Sequence, residues 1–143
     1  MSIRVGDQIP STHKKVYQRA LAEREFAADS IHNDQYTRSR GYPGALVSAY
    51  VLTGYISELM VNFFGQSWLS TGKYQLAFVG KGLQQGDQIT CGGVVTAIDE
   101  LPDGDQAVQL DVWIEKHGAR PVLGRASGVL RAATAGRALA QAN

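Results

Sequence analysis

The run GALVSAYVLTGYISELMVNFFG, from Gly44 to Gly65, constrains the fold more than any other stretch of the chain. A helix needs about 20 predominantly apolar residues to span a bilayer, and this run approaches that length. Its polar members argue for a different setting. Thr53 and Ser57 recur at a spacing of four, as do Gly54, Glu58 and Asn62. On a helix these five line up along one side. A carboxylate near the middle of a span costs about 2.5–3.5 kcal/mol on insertion scales. The expected element is a helix from near Ala45 to Phe64, stopped by Gly65, mostly apolar with one polar stripe. Such a helix belongs at the buried centre of a soluble fold, and a membrane span is not expected.

After this helix the periodicity changes. KYQLAFVG (73–80) and QITCGGVVTAI (88–98) are expected to be extended, and the Gly92-Gly93 pair suggests a bulge or bend. LPDGD is a turn. In QAVQLDVWIEK, Val108, Leu110, Val112 and Ile114 alternate with Gln109, Asp111, Trp113 and Glu115, the period of a strand with one buried face. The turn HGARP leads to a last strand, VLGRASGVLRA. Strands in succession joined by short turns should pair antiparallel. Ahead of the long helix, residues 13–28 are good helix formers and are expected to form a short helix. Asp29 to Asp34 breaks that pattern, and Asp34 is a candidate cap for a second short helix through Tyr36 to Ser39. Gly41, Pro43 and Gly44 then mark a loop. The predicted architecture is α+β: a single domain over residues 1–143 in which a curved antiparallel sheet wraps one long helix, the layout of the hotdog fold.

Composition excludes several classes of function. The chain has 143 residues, 44% hydrophobic and 19% charged, which is enough apolar material for a core. A formal net charge of +1 gives no electrostatic reason to expect nucleic acid or an anionic membrane as partner. Cys91 is the one cysteine, so neither an intrachain disulfide nor a thiolate zinc cluster can form. A buried structural thiol in a cytoplasmic protein is the expectation. MSIRVGDQIP has no apolar segment of the kind a signal peptide carries.

Two segments together resemble a known family. SIHND followed by GYPGALVSAY is similar to the signature of the MaoC-like dehydratases, the (R)-specific enoyl-CoA hydratase branch of the hotdog superfamily. FVGKGLQQGDQITCGGVV resembles that family's strand-turn-strand segment, and VGDQIP its usual opening, so the likeness runs from about Val5 to Leu130. The resemblance implies hydration of trans-2-enoyl thioesters, or dehydration of (R)-3-hydroxyacyl thioesters, carried on CoA or acyl carrier protein. It implies no metal and no redox cofactor, and a homodimer or higher oligomer of hotdog units with sites near the interface.

Carried over position by position, His32 falls on the family histidine and Asp34 on the aspartate two places after it. Gly41, Pro43 and Gly44 fall on the glycine-proline-glycine loop. Ser48 and Ala49 stand where the family often has His-Gly. The chain departs from the pattern five places before the histidine, where Ala27 occupies the position of the catalytic aspartate. Asp29 sits at the family's asparagine position. The resemblance therefore implies His32 as acid/base; with Ala27 at the aspartate position, either Asp29 orients His32 or the water, or His32 shuttles the proton alone. Tyr42, Gly44, Ser48 and Ala49 would contact substrate, the last two through the backbone.

That assignment fits the chemistry. Adding water across an enoyl thioester needs a base for water, an acid for the α carbon and donors for the enolate oxygen. An imidazole can serve either proton step. A helix start offers unpaired N–H groups and a partial positive charge. Two other readings remain at this level. One is a domain that binds an acyl thioester without turning it over, as the partner of an active hotdog subunit. The other is a thioesterase, with Glu58 on the central helix as the catalytic carboxylate. Asp34 is more naturally a cap, and His13 and His117 read as surface residues.

Overall fold

The computed structural model describes residues 2–18 and 30–133. In chain order these form β1 (Thr12–Lys15), α1 (Asp34–Ser39), α2 (Ala49–Phe64), α3 (Trp68–Thr71), β2 (Lys73–Phe78), β3 (Gln88–Glu100), β4 (Gln106–Lys116) and β5 (Ala119–Leu130). The strands make one five-stranded antiparallel sheet in the order β1-β3-β4-β5-β2. One long helix lies against it.

The alternation read in β4 is the alternation observed. Val108, Leu110, Val112 and Ile114 are all buried, while Gln109 and Asp111 face out. Opposite them α2 buries Leu52, Ile56, Leu59, Met60, Phe63 and Phe64. These two sets, with Val95, Val122, Ala126 and Leu130, are the heart of one core. Phe64 stacks on Trp68 at 5.6 Å between ring centroids, and Trp68 stacks on Tyr74 at 6.1 Å. The room for Phe64 comes from Gly128 on β5, where an added Cβ would stand 3.2 Å from the ring.

The structure departs from the sequence reading at several points. Residues 13–15 lie in β1, not in a helix; His13 pairs with Thr90 and Lys14 with Ile89. Ladder pairing to a long neighbouring strand outweighs a local helix preference worth only tenths of a kcal/mol per residue. Residues 19–28 of the expected helix lie outside the described residues. The cap of α1 is Asn33, whose Oδ1 accepts from Tyr36 N at 3.0 Å, and Asp34 is the first helical residue. The central helix begins at Ala49 instead of near Ala45. Leu46 and Val47 are extended there because their N–H groups are taken by Ile31 O at 2.9 Å and Leu83 O at 2.8 Å.

The sheet differs too. β2 does not pair with β3, its successor; it pairs with β5 at the far edge, Tyr74 opposite Ala126. The connection 79–87 carries the chain past the β4–β5 turn, held by Val79 N to Pro121 O at 2.9 Å and by Lys116 to Asp87 at 2.8 Å. The irregularity in β3 falls between Val95 and Ala97, not at Gly92-Gly93. Those glycines serve close packing: a Cβ at Gly92 would meet the Trp113 ring at 2.9 Å. The expected arrangement of one long helix against a single antiparallel sheet is the one observed, with Gly54 and Asn62 of the polar stripe facing outward. No helix among the described residues is long and apolar enough to cross a membrane.

Candidate functional site

The segment Ile31–His32 is tied to Leu46 by two hydrogen bonds, and this brings His32 to the approach of α2. Leu46 N donates to Ile31 O at 2.9 Å. In return the His32 ring nitrogen Nδ1 lies 2.8 Å from Leu46 O. A carbonyl oxygen only accepts, so Nδ1 carries the proton of that bond. A neutral His32 ring would then hold its lone pair on Nε2, a nitrogen of the kind suited to take and return a proton. His32 is half-buried, and its own N–H donates to Ser30 Oγ at 3.1 Å. The imidazole is thus oriented from its backbone and from its ring.

Asp34 has a structural task. Its Oδ2 pairs with Arg38 Nε at 2.8 Å, one helical turn on, and its Oδ1 accepts from Ala45 N at 3.1 Å. The Arg38 guanidinium, with the Ala45 N–H, holds the Asp34 carboxyl below the usual aspartate range. The carboxylate is therefore ionised and occupied, clamping α1 to the segment that leads into α2. Gly44 sits close against this clamp. It is buried, and a Cβ there would approach Asp34 Oδ1 at 3.0 Å and an Arg38 Nη atom at 3.4 Å.

At the start of α2 the donors divide. Ser48 caps the helix, its Oγ accepting from Tyr50 N at 3.3 Å. The Ser48 N–H donates to Gln18 Oε1 at 2.7 Å. Ala49, the first helical residue, has no intrahelical acceptor for its N–H, as is true of any first turn. It is exposed, and no described residue accepts from it. Of the two backbone groups expected to meet a thioester oxygen, that of Ala49 is open and that of Ser48 is engaged by Gln18. Tyr42 lies at the surface of the preceding loop, 36% exposed. Ala27 and Asp29 lie outside the described residues, so the replacement for the missing aspartate is not placed.

Three contributors carried no local signal in the sequence. Gln18, Leu46 and Leu83 act through a side-chain amide or backbone carbonyls, and each meets its partner across a long chain separation. Nothing in their neighbourhoods marks them.

The other candidate groups are placed elsewhere. Glu58 pairs with Lys14 Nζ at 2.7 Å. That hydrogen bond raises the Lys14 pKa. Cys91 is fully buried, and burial pushes its thiol pKa up, so it stays protonated. His13 lies at the sheet edge with Nδ1 3.1 Å from Thr90 Oγ1, and His117 occupies the β4–β5 turn with φ 49°. Among the described residues no group of three His, Cys, Asp or Glu side chains could hold a metal ion.

No family model matches the chain, and no curated protein matches it by sequence. Solved structures do resemble it. A chain of the ChsH1–ChsH2 complex from Mycobacterium tuberculosis superposes with TM-score 0.65 at 20% identity, over 90% of this chain and 98% of its own. The (R)-hydratase from A. caviae involved in PHA biosynthesis gives 0.65 at 21%, over 91% and 98%. A MaoC-like dehydratase from Rhodospirillum rubrum gives 0.65 at 16%, over 90% and 93%. Across nearly its whole length, this chain has the hotdog fold of the MaoC-like dehydratases and (R)-hydratases.

Proposed function

We propose that the protein hydrates an enoyl thioester, or runs the reverse dehydration of an (R)-3-hydroxyacyl thioester, with His32 as acid/base. The observation that carries this is the bond from His32 Nδ1–H to Leu46 O at 2.8 Å. It sets the tautomer and aims Nε2 away from the brace. Water gives a proton to Nε2 as its oxygen bonds to the β carbon, and the electron pair of the double bond moves onto the thioester oxygen as an enolate. The Ala49 N–H and the N-terminal partial charge of α2 stabilise that oxygen. Return of the proton from Nε2 to the α carbon completes the addition. Asp29 is the candidate to orient the water in place of Ala27. Similarity to structures described as (R)-hydratases and MaoC-like dehydratases supports the reaction class.

The thioesterase reading is weaker, because Glu58 is ten residues beyond Ser48 in sequence. At 1.5 Å per residue that puts it about 15 Å along α2, and its carboxylate is held by Lys14. The experiment that separates the readings follows the enoyl-thioester absorbance of crotonyl and longer-chain enoyl-CoA, alongside free thiol. Loss of absorbance without thiol release is the expected result. Thiol release would favour Glu58. Binding with neither change would favour a non-catalytic partner subunit.

The working unit is proposed to be a homodimer. Among the described residues β2 is the last strand at one edge of the sheet, with Tyr74 42% and Phe78 47% exposed. An unpaired edge carrying apolar side chains is a ready template for a second strand. Light scattering is expected to report twice the 15.4 kDa chain mass; a monomer at assay concentration with full activity would refute the dimer.

A further inference from the structure

We infer that Gln18 is a catalytic residue whose side-chain amide nitrogen, Nε2, donates to the enolate oxygen beside the Ala49 N–H. This rests on the hydration reading and adds to it a group from outside both the histidine loop and α2.

One bond fixes which end of the Gln18 amide faces the helix. Ser48 N–H donates to that side chain at 2.7 Å. Only the carbonyl end of a carboxamide accepts, so the atom bonded there is Oε1 and the amino end is turned away from Ser48 N. Standard bond lengths put Nε2 about 2.2 Å from Oε1, which keeps the amide nitrogen at the start of α2. Nε2 donates to no described residue. It is also not one of the buried polar atoms left without a partner, which among the described residues are Thr12 Oγ1 and Gln84 Nε2. Its N–H groups are therefore open, as the Ala49 N–H is.

The amide thus takes up one backbone donor and returns its own. A bond accepted at Oε1 polarises the carboxamide and makes Nε2–H a stronger donor. The start of α2 then offers Ala49 N–H and Gln18 Nε2–H together, although Ser48 N–H is engaged. Two donors suit an oxygen that gains a full charge better than one.

Gln18 is also held in advance, because each residue of the stretch that follows β1 is tied down. Val16 N donates to Asp87 O at 2.7 Å, and Gly86 N donates to Val16 O at 2.9 Å. Tyr17 N donates to the Tyr55 hydroxyl of α2 at 3.0 Å. Gln18 N donates to Gln85 Oε1 at 2.7 Å. A donor fixed before the substrate arrives needs no reorganisation while charge develops, which is the condition for a large electrostatic effect.

Gln18→Glu separates the two ends of the side chain in the intact protein. The carboxylate still accepts from Ser48 N–H, but it has no N–H to give. Its kcat for enoyl-CoA hydration is expected to fall roughly 10²–10³-fold, the worth of one oxyanion donor. KM should change far less, and thermal melting should match wild type. Gln18→Met, with neither donor nor acceptor, should be similarly slow. Acetoacetyl-CoA supplies a readout without turnover, because its enolate absorbs in the near ultraviolet. Wild type should raise that absorbance on binding, and both variants should bind with most of the rise lost. A hydration rate in either variant equal to or above wild type would overturn the inference; a faster Gln18→Met would mean that the amide only plugs the site. The two proposals fail separately. Enolate absorbance that depends on Gln18, with no hydration by wild type, removes the reaction and keeps the role of Gln18. Hydration indifferent to both variants does the reverse, and wild type with neither signal removes both.

Discussion

Replacing His32 by alanine is expected to lower enoyl-thioester hydration by roughly 10²–10⁴-fold, the usual worth of a positioned acid/base group. Alanine removes two things at once: the Nε2 proton site and the Nδ1 brace on Leu46 O. The brace is a single half-buried hydrogen bond, so its loss should cost only about 0.5–1.5 kcal/mol of stability. His32→Asn separates the two roles. Its side-chain amide nitrogen can take the place of Nδ1 and donate to Leu46 O, but it has no second nitrogen at the Nε2 position. His32→Asn should therefore melt close to wild type and be as inactive as His32→Ala. Initial rates under saturating enoyl-CoA, set beside thermal melts, decide the matter. Substantial activity in His32→Asn would mean the ring is only a brace.

Phe64→Ala is expected to be the most damaging of the core substitutions. Phe64 is fully buried, packs edge-on to Phe63 at 4.8 Å and stacks on Trp68 at 5.6 Å. It also fills the space that Gly128 leaves open on β5. Removing the ring deletes the contact among α2, α3 and the sheet together, and the glycine opposite has no side chain with which to close the gap. Cavity-forming Phe→Ala changes cost about 3–5 kcal/mol. For a domain of this size that lowers Tm by roughly 10–20 °C. Differential scanning calorimetry measures it. Phe64→Leu keeps most of the volume and should lose about 1–2 kcal/mol. A Phe64→Ala loss as small as that of Phe64→Leu would mean that the core collapses around the site.

Legibility followed the range of the interactions. The β4 alternation and the apolar body of α2 were readable because each depends on a period within its own segment, and burial enforces that period. The end of α2 at Gly65 and the buried Cys91 were readable for similar reasons. The start of α2 was not. Ala45–Val47 has ordinary helix-compatible residues, yet its N–H groups go in turn to Asp34, Ile31 and Leu83, partners remote in sequence. The same holds for β1, whose helical composition yields to pairing with β3. The site shows the same division. The SIHND and GYPG motifs located His32 and the helix entrance. They did not reveal that Asn33 caps α1, that Asp34 is a clamp ionised by Arg38, or that Gln18 occupies the Ser48 N–H.

By itself, then, the sequence determined the element types wherever a hydrophobic period ran long enough to be enforced by burial: one amphipathic helix, and strands with one wet and one dry face. It also placed one imidazole a fixed distance in sequence from that helix. Only the tertiary structure decided the strand order, in which β2 crosses to pair with β5, because strand pairing depends on how the chain returns through space. It alone showed that His32 Nδ1 meets an acceptor, the Leu46 carbonyl fourteen residues away. It alone brought the Gln18 amide to the Ser48 N–H, since a contact across thirty residues forms only when the stretch after β1 meets the start of α2.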